Sequence, residues 1–301
     1  MGELFIKKFG IPDVARDYLD IFFTDQEIRF VESMDKEVFT RSDIKNFISS
    51  NTDQFIKDSY RRAILSIVDE KEGTYRINDF YGRLDVFVVS ETEKYHSIPK
   101  ESRIKIDEWY FDTFYEGLDG DLSVRPTPDE ILTIDEVLEF IDQQERPVYL
   151  NYCDCRSLSG DCGLPVRTCI TYKNGINTFV HRGLSEKIDK ERAKEIVRDA
   201  DKKGLMHTVN PNGICNCCGD CCYLFRGQKR RGSSGFWPAA RHIVEFDKTS
   251  CIHCGKCVKR CHFGVFSKED GTIKPDISNC VGCGICATGC PTGSLKMKGR
   301  E

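Results

Sequence analysis

The sequence predicts an α+β, multidomain protein, and three observations predict it. Residues 1–120 contain no cysteine and show helical apolar spacing followed by short β-type runs. The middle of the chain twice runs from a capped helix through a strand into a Cys-x-Cys pair. Residues 241–301 carry eight cysteines in a duplicated string set between short β-type runs. At 301 residues the chain exceeds what one hydrophobic core usually organises. Boundaries are expected to give domains at 1–122, 123–240 and 241–301.

In the first domain, Thr24-Asp25-Gln26-Glu27 is a capping box ahead of Ile28, Val31 and Met34. Thr40 and Thr52 are expected to cap helices over 41–49 and 53–67, with Phe47, Ile48, Phe55, Ile56, Ile64 and Ile67 as apolar positions. A short strand through Tyr75, Arg76 and Ile77, a turn at Tyr81-Gly82 and a strand Leu84–Val89 follow. Short helices followed by a two-stranded hairpin resemble a winged-helix domain in element order. The residues that a DNA reader would present from helix 53–67 are Gln54, Lys57, Arg61 and Arg62. DNA binding normally leaves a basic footprint, whereas residues 1–125 carry a balance of −8. The charge argues against nucleic acid and for a scaffold that docks a protein partner.

In the second domain, Thr133-Ile134-Asp135-Glu136 is another capping box, opening a helix through Val137, Leu138, Phe140 and Ile141 that Pro147 stops. Val148–Leu150 then reads as a strand leading to Cys153 and Cys155. Asp189 is expected to cap a helix carrying Ala193, Ile196, Val197 and Ala200, ended by Gly204, and Leu205–Val209 is a strand leading to Cys215 and Cys217. This makes the domain a cysteine-rich α/β segment with a degenerate internal duplication. Gly227–Gly235 (GQKRRGSSG) reads as a linker with a solvated basic run at Lys229-Arg230-Arg231.

The third domain holds Cys251, Cys254, Cys257 and Cys261 at C-x2-C-x2-C-x3-C spacing. Cys280, Cys283, Cys286 and Cys290 repeat it at a constant offset, with Pro291 at the end. Three thiolates two residues apart fit a tight loop around one cubane, leaving one iron corner for a cysteine from elsewhere. These strings resemble the bacterial two-cluster ferredoxin, in which the fourth cysteine of each unit ligates the other unit's cluster. The resemblance implies two [4Fe–4S] clusters. One would be held by Cys251, Cys254, Cys257 and Cys290, the other by Cys280, Cys283, Cys286 and Cys261. Gly255, Gly282 and Gly284 would let backbone amides approach the sulfides. Val244–Phe246, Val265–Ser267, Ile273–Lys274 and Leu295–Met297 read as flanking strands. His262 stands where the pattern has proline, which alters a turn and not a ligand. His253 and His262 are alternative ligands in principle, but eight well-spaced cysteines leave no vacancy. Zinc, the competing reading of paired C-x2-C units, is disfavoured by the duplication and the closing Cys-Pro.

Nine further cysteines lie at 153, 155, 162, 169, 215, 217, 218, 221 and 222. Single buried cysteines are ordinary core residues; nine in three short loops point to metal. Adjacent pairs such as Cys217-Cys218 and Cys221-Cys222 cannot all reach one cubane. The residues leave open one or two further iron–sulfur clusters, or one cluster plus zinc, and the preferred expectation is at least one more [4Fe–4S] cluster. The strings Tyr152-Cys153-Asp154-Cys155-Arg156, Gly204-Leu205-Met206-His207 and Ile214–Cys222, with the C-terminal module, resemble a group of anaerobe-type 4Fe-4S dicluster-domain proteins over roughly 130–301. Arg156 has two readings, as a counter-charge for a cluster or grip for an anionic substrate, and as one half of a surface salt bridge. His207 is either a ligand or proton donor, or simply a hydrogen-bonded histidine.

Seventeen cysteines, an odd number, fit metal binding in reducing cytosol better than a disulfide framework. No signal peptide and no membrane-length apolar run is apparent, so the expected compartment is cytoplasmic. Dinucleotide loops, phosphate loops and Cys-x-x-Cys-His haem attachment are absent from the sequence. The function expected is electron transfer to and from redox partner proteins. The alternatives are an iron–sulfur reductase with a substrate site in the middle domain, and a redox-responsive DNA-binding regulator.

Overall fold

Two N-terminal helices form where Thr24 and Thr40 place them, whereas Thr52, expected to cap the next, is its first residue behind Asn51. Thr24 accepts from the Glu27 amide while the Glu27 carboxylate takes the Thr24 amide, opening helix Asp25–Ser33. Thr40 and Asp43 repeat that device at Arg41–Phe47. The computed structural model describes residues 2–160 and 162–300. It is α+β, and its described residues divide into two units. The first comprises residues up to Thr113 with Ser157–Ser159 and Lys173–Ser185; the second comprises Phe114–Arg156, Gly160–Tyr172 and the chain from Glu186 onward.

In the first unit, helix Asp25–Ser33 is followed by strand Phe39–Thr40, helices Arg41–Phe47 and Thr52–Arg61, and the hairpin Leu65–Asp69 with Thr74–Ile77. Phe39–Thr40 joins the far side of Thr74–Ile77, completing a three-stranded antiparallel sheet in winged-helix order. The hairpin sits earlier than the sequence pattern suggested. The expected helix 53–67 ends at Arg61, because Ala63 takes a left-handed φ of 56° and turns the chain into the strand. Leu84–Val89, expected as a strand, lies inside helix Phe80–Ser90, which Asp79 caps through the Gly82 amide. A continuous apolar run suits a buried helix as well as a strand.

The core of this unit is phenylalanine. Phe5, Phe9, Phe22, Phe23, Phe80 and Phe87 meet ring to ring, with Phe22 4.9 Å from Phe87 and 5.1 Å from Phe80. Such pairs add about 0.5–1.5 kcal/mol each beyond their area. Arg83 is buried among them, its guanidinium 4.7 Å from the Phe87 ring centre. It donates to the Phe22 and Arg62 carbonyls and to Glu91 Oε1 at 2.7 Å. Lys173–Ser185 adds to the same unit: the Asn177 amide exchanges two hydrogen bonds with the Ile67 backbone, and buried Arg182 lies 4.5 Å over the Tyr60 ring.

The second unit is built on a seven-stranded sheet. Its order is Ala239–Ala240, Glu130–Leu132, Met206–Asn210, Gly213–Cys217, Cys169–Thr171, Val148–Asn151 and Glu186–Ile188. Helices Ile134–Gln143 and Lys190–Lys202, capped by Thr133 and Asp189 as their sequences suggest, bury Val137, Ile141, Ala193 and Val197 against it. Gly227 does not begin a linker. Tyr223–Arg231 is a helix, and Gly227 is small because the buried Trp237 ring lies 3.1 Å from where its Cβ would stand. Arg231, placed in a solvated run by the sequence, donates to the Asp119 and Asp121 carbonyls. The C-terminal module closes with two small antiparallel pairs, His242–Phe246 with Leu295–Gly299 and Phe266–Glu269 with Thr272–Pro275. Among the described residues no helix is long and apolar enough to cross a membrane.

Candidate metal centres

Between those small strand pairs run two equivalent cysteine loops, each entering a short helix, Lys256–Arg260 and Ile285–Thr288. Gly255 and Gly284 start these helices at the same left-handed φ of 78°. Gly282 (φ 74°) answers to His253 (φ 53°) in the other copy, so the duplication extends to the backbone. A Cβ on Gly282 would lie 2.1 Å from the His242 carbonyl oxygen. Amides converge on the sulfurs: Val244 and Gly282 donate to Cys280 Sγ at 3.4 Å, and His253 donates to Cys251 Sγ at 3.4 Å.

The cysteines group across the duplication. One cavity is lined by Cys251, Cys254, Cys257 and Cys290, with Phe246 and Leu295 among the apolar walls. The thiol of Cys261 lies instead within electrostatic reach of Cys283 and Cys286, which also feel Cys280. Burial pushes Cys283 up to about 12 and raises Cys286. Cys290 goes the other way, down to about 6: its slight burial works upward, but hydrogen bonds from Ser294 and Thr292 to the thiolate prevail. His253 Nδ1 accepts from the Ile273 amide at 3.0 Å, and His262 Nε2 donates to the Gly204 carbonyl at 2.9 Å. Those nitrogens are engaged with backbone.

The other nine cysteines separate into six and three. Cys215 and Cys217 lie two apart on strand Gly213–Cys217 and share a face. Cys169 begins the neighbouring strand, Cys153 caps helix Asp154–Ser159, Cys155 lies in its first turn, and Cys222 caps helix Tyr223–Arg231. Their thiols close a ring. Cys153 bonds with Cys155 and Cys169, Cys155 with Cys222, Cys222 with Cys217, Cys217 with Cys215, and Cys215 with Cys169. Cys222 and Cys217 sulfurs are 3.3 Å apart. Hydrogen bonding with Cys169 and Cys217 holds Cys215 down to about 6, and hydrogen bonding with Cys155 and Cys217 lowers Cys222. Cys155 and Cys217 are raised.

The remaining three, Cys162, Cys218 and Cys221, meet elsewhere. Their sulfurs and a carboxylate oxygen of Asp220 all lie within 4.8 Å of one another. The Cys221 amide donates to Cys218 Sγ at 3.3 Å, forming a compact knuckle, and Ala200 and Leu205 pack behind it. Each adjacent pair is therefore split. Cys217 and Cys222 join the ring, while Cys218 and Cys221 join the trio. Asp220, which the sequence reading passed over, was visible only as the acidic residue inside Cys218-Gly219-Asp220-Cys221.

Arg156 lies beside the ring, 1% exposed. Its guanidinium donates to the Pro165 carbonyl (2.9 Å), the Asn216 carbonyl (2.6 Å) and Thr168 Oγ1 (2.5 Å), and its amide reaches Cys153 Sγ at 3.5 Å. Among the described residues no carboxylate pairs with it. Burial opposes its charge, but Cys153, Cys169, Cys217 and Cys218 outweigh that and raise its pKa. It is a buried counter-charge facing thiolates, not one half of a surface salt bridge among the described residues. His207, fully buried, donates through Nδ1 to Asn216 Oδ1 at 2.6 Å, since the Asn216 amide nitrogen is engaged with the Thr168 carbonyl. Among the described residues its Nε2 has no hydrogen-bond partner, and Asp201 Oδ1 is 3.9 Å away.

Buried thiols without a cation are disfavoured as thiolates and useless as ordinary core groups at this density. Residues 250–295 match the family model of the 4Fe-4S dicluster domain. The chain carries a 4Fe-4S dicluster domain over these residues. The dicluster domain spans all eight cysteines of the duplicated string, and the nine others lie outside it. No curated protein and no solved structure matches the chain.

Proposed function

We propose that the protein relays single electrons through two [4Fe–4S] clusters in its dicluster domain and a further iron–sulfur centre in the six-thiol ring. One cluster is assigned to Cys251, Cys254, Cys257 and Cys290, the other to Cys280, Cys283, Cys286 and Cys261. The observation that carries the reading is the dicluster match, together with a cavity that gathers three cysteines of one repeat and one of the other. Clusters of this kind take up and release one electron at a time. The chain supplies the thiolates, and its amides at Val244, Gly282 and His253 aim N–H dipoles at ligand sulfurs, which stabilises the reduced state.

Arg156 supports the ring as a charged centre. It neutralises part of the thiolate charge without solvent, and its bonds to three protein oxygens leave it poorly placed to grip an incoming anion. An electron relay is therefore favoured over a reductase that binds substrate there. The partners in this reading are redox proteins, and the acidic first part of the chain suits docking to a protein rather than to DNA.

The test is anaerobic purification with iron and acid-labile sulfide assay, and EPR before and after dithionite. The two dicluster cubanes require about eight irons per chain, and a centre in the ring raises that number. Cys169→Ser should lower iron while leaving the reduced dicluster signals intact. A preparation holding zinc alone, with no reduced-cluster EPR signal, would sink the proposal.

A further inference from the structure

The trio of Cys162, Cys218 and Cys221 differs from the dicluster cysteines in its spacing, and it brings three sulfurs together where the tight group in the ring, Cys153 and Cys155 with Asp154, brings two. Its three sulfurs and the Asp220 oxygen are all within 4.8 Å of one another. None of the eight dicluster cysteines belongs to such a tight group among the described residues. The difference has a chemical meaning. On a cubane each thiolate binds its own iron, so the body of the cluster stands between any two of them. On a single zinc ion, with Zn–S bonds of about 2.3 Å, tetrahedral neighbours stand only about 3.8 Å apart. The trio has the spacing of one ion.

The surroundings are built for such an ion. Cys218 and Cys221 are a C-x2-C pair, and the Cys221 amide donates into the Cys218 sulfur. Cys218 and Cys221 are buried and Cys162 is half-buried, with Leu164 and Leu205 packed around them. Asp220 brings the one oxygen donor, and its own carboxylate also accepts from the Cys221 amide at 3.0 Å, which fixes its direction. The loop is backed by His262, the residue that replaces proline in the dicluster pattern. Gly219 has no room for a Cβ, which would fall 2.3 Å from His262 Cβ, and His262 is itself tied to the Gly204 carbonyl. The departure from the ferredoxin pattern thus has a place in the structure: it braces the knuckle.

We infer that Cys162, Cys218 and Cys221, completed by Asp220, form a mononuclear tetrahedral zinc site separate from every iron–sulfur centre. It rests on the reading of the nine middle cysteines as metal ligands and assigns three of them a different metal. Three thiolates and a carboxylate on zinc make a closed structural site, which would pin the loop around Cys162 to the sheet end that carries Cys218.

The test uses the whole chain, purified anaerobically from cells supplied with both iron and zinc. One zinc per chain is expected beside the iron. Cys162→Ser and Cys218→Ser should each reduce zinc to background while iron, sulfide and the reduced-cluster EPR signals keep their wild-type values. Cobalt(II) supplied in place of zinc should show the intense visible bands of a tetrahedral thiolate site, lost in Cys218→Ser. Asp220→Asn, at an exposed position that leaves the core intact, should weaken zinc binding at least about tenfold. Zinc that is absent, or that survives Cys218→Ser, overturns the inference; so does iron that falls with Cys218→Ser. Failure of the ring as an iron–sulfur centre would read differently, as wild-type iron no higher than the dicluster domain accounts for, with zinc and its dependence on Cys218 unchanged.

Discussion

The two units are stabilised by different means. The first folds around phenylalanine, and its most deeply buried charge among the described residues, Arg83, has Glu91 and two carbonyls to meet it. The second unit has an aliphatic layer under its helices, but it also buries groups of thiols that face one another, and Arg156, which no carboxylate among the described residues meets. Apolar side chains attract each other through solvent exclusion and need nothing further. Thiolates brought together repel, and a cation has to hold them. On the proposed reading the first unit holds together as a chain, while the second relies on metal.

The largest effect should come from removing that metal. Acid-labile clusters and zinc can be stripped with ferricyanide and a chelator, and hydrogen exchange then read segment by segment. Structural zinc alone contributes about 10–16 kcal/mol to small metal-dependent folds. Protection should collapse across Cys153–Cys169, Gly213–Cys222 and the dicluster domain. It should persist in helices Asp25–Ser33 and Phe80–Ser90. Equal loss in both units would break the contrast between them.

The next effect belongs to the first unit. Glu91 is half-buried beside Arg83 and also pairs with Arg62 at 2.6 Å and Lys94 at 2.8 Å. Burial works to raise its pKa, but Arg83, Lys94 and Arg62 prevail and hold it down to about 2. The depressed folded-state value means the stabilisation is fully present above the ordinary glutamate range near pH 4.5. It is lost as pH falls from there toward 2. Glu91→Gln leaves Arg83 buried without its partner and should cost about 3–5 kcal/mol at neutral pH. Below about pH 2, the folded-state value, the difference from wild type should shrink. Denaturant melts of the first unit, followed by its tryptophan, Trp109, should show this while iron content stays constant. A pH-independent cost would mean that Glu91 matters for packing and not for charge.

How much of this was legible beforehand follows the same divide between local and long-range information. The ligand loops of the dicluster domain are local, so spacing alone led to them, and the capping boxes at Thr24, Thr40 and Thr133 are local too. The division of the nine middle cysteines into six and three was not legible. Cys169 and Cys215 lie on two strands and Cys153 just beyond a third, and the order of those strands in the sheet is not written in any short string. What could be read was that adjacent pairs such as Cys217-Cys218 and Cys221-Cys222 cannot all reach one cubane. Gly227 misled because glycine serves turns and close packing alike, and only Trp237 against the helix decides between them. Leu84–Val89 misled because an apolar run lacks the periodicity that separates helix from strand.

The smallest effect tests whether the contrast is confined to what lies at the core. Both units use the same local device: Thr24 with Glu27 opens a helix in the first, and Thr133 with Glu136 opens one in the second. Each pair satisfies amides that the helix leaves unbonded, and neither threonine touches a cysteine group. Thr24→Ala and Thr133→Ala should therefore cost the same, about 1 kcal/mol each, in the metal-loaded protein. Denaturant midpoints measured on each variant, with iron and zinc content unchanged, would show it. A Thr133→Ala variant that also sheds metal would mean that helix Ile134–Gln143 is coupled to the cysteine centres through the sheet. The metal would then be organising the aliphatic layer as well as the thiol-lined side.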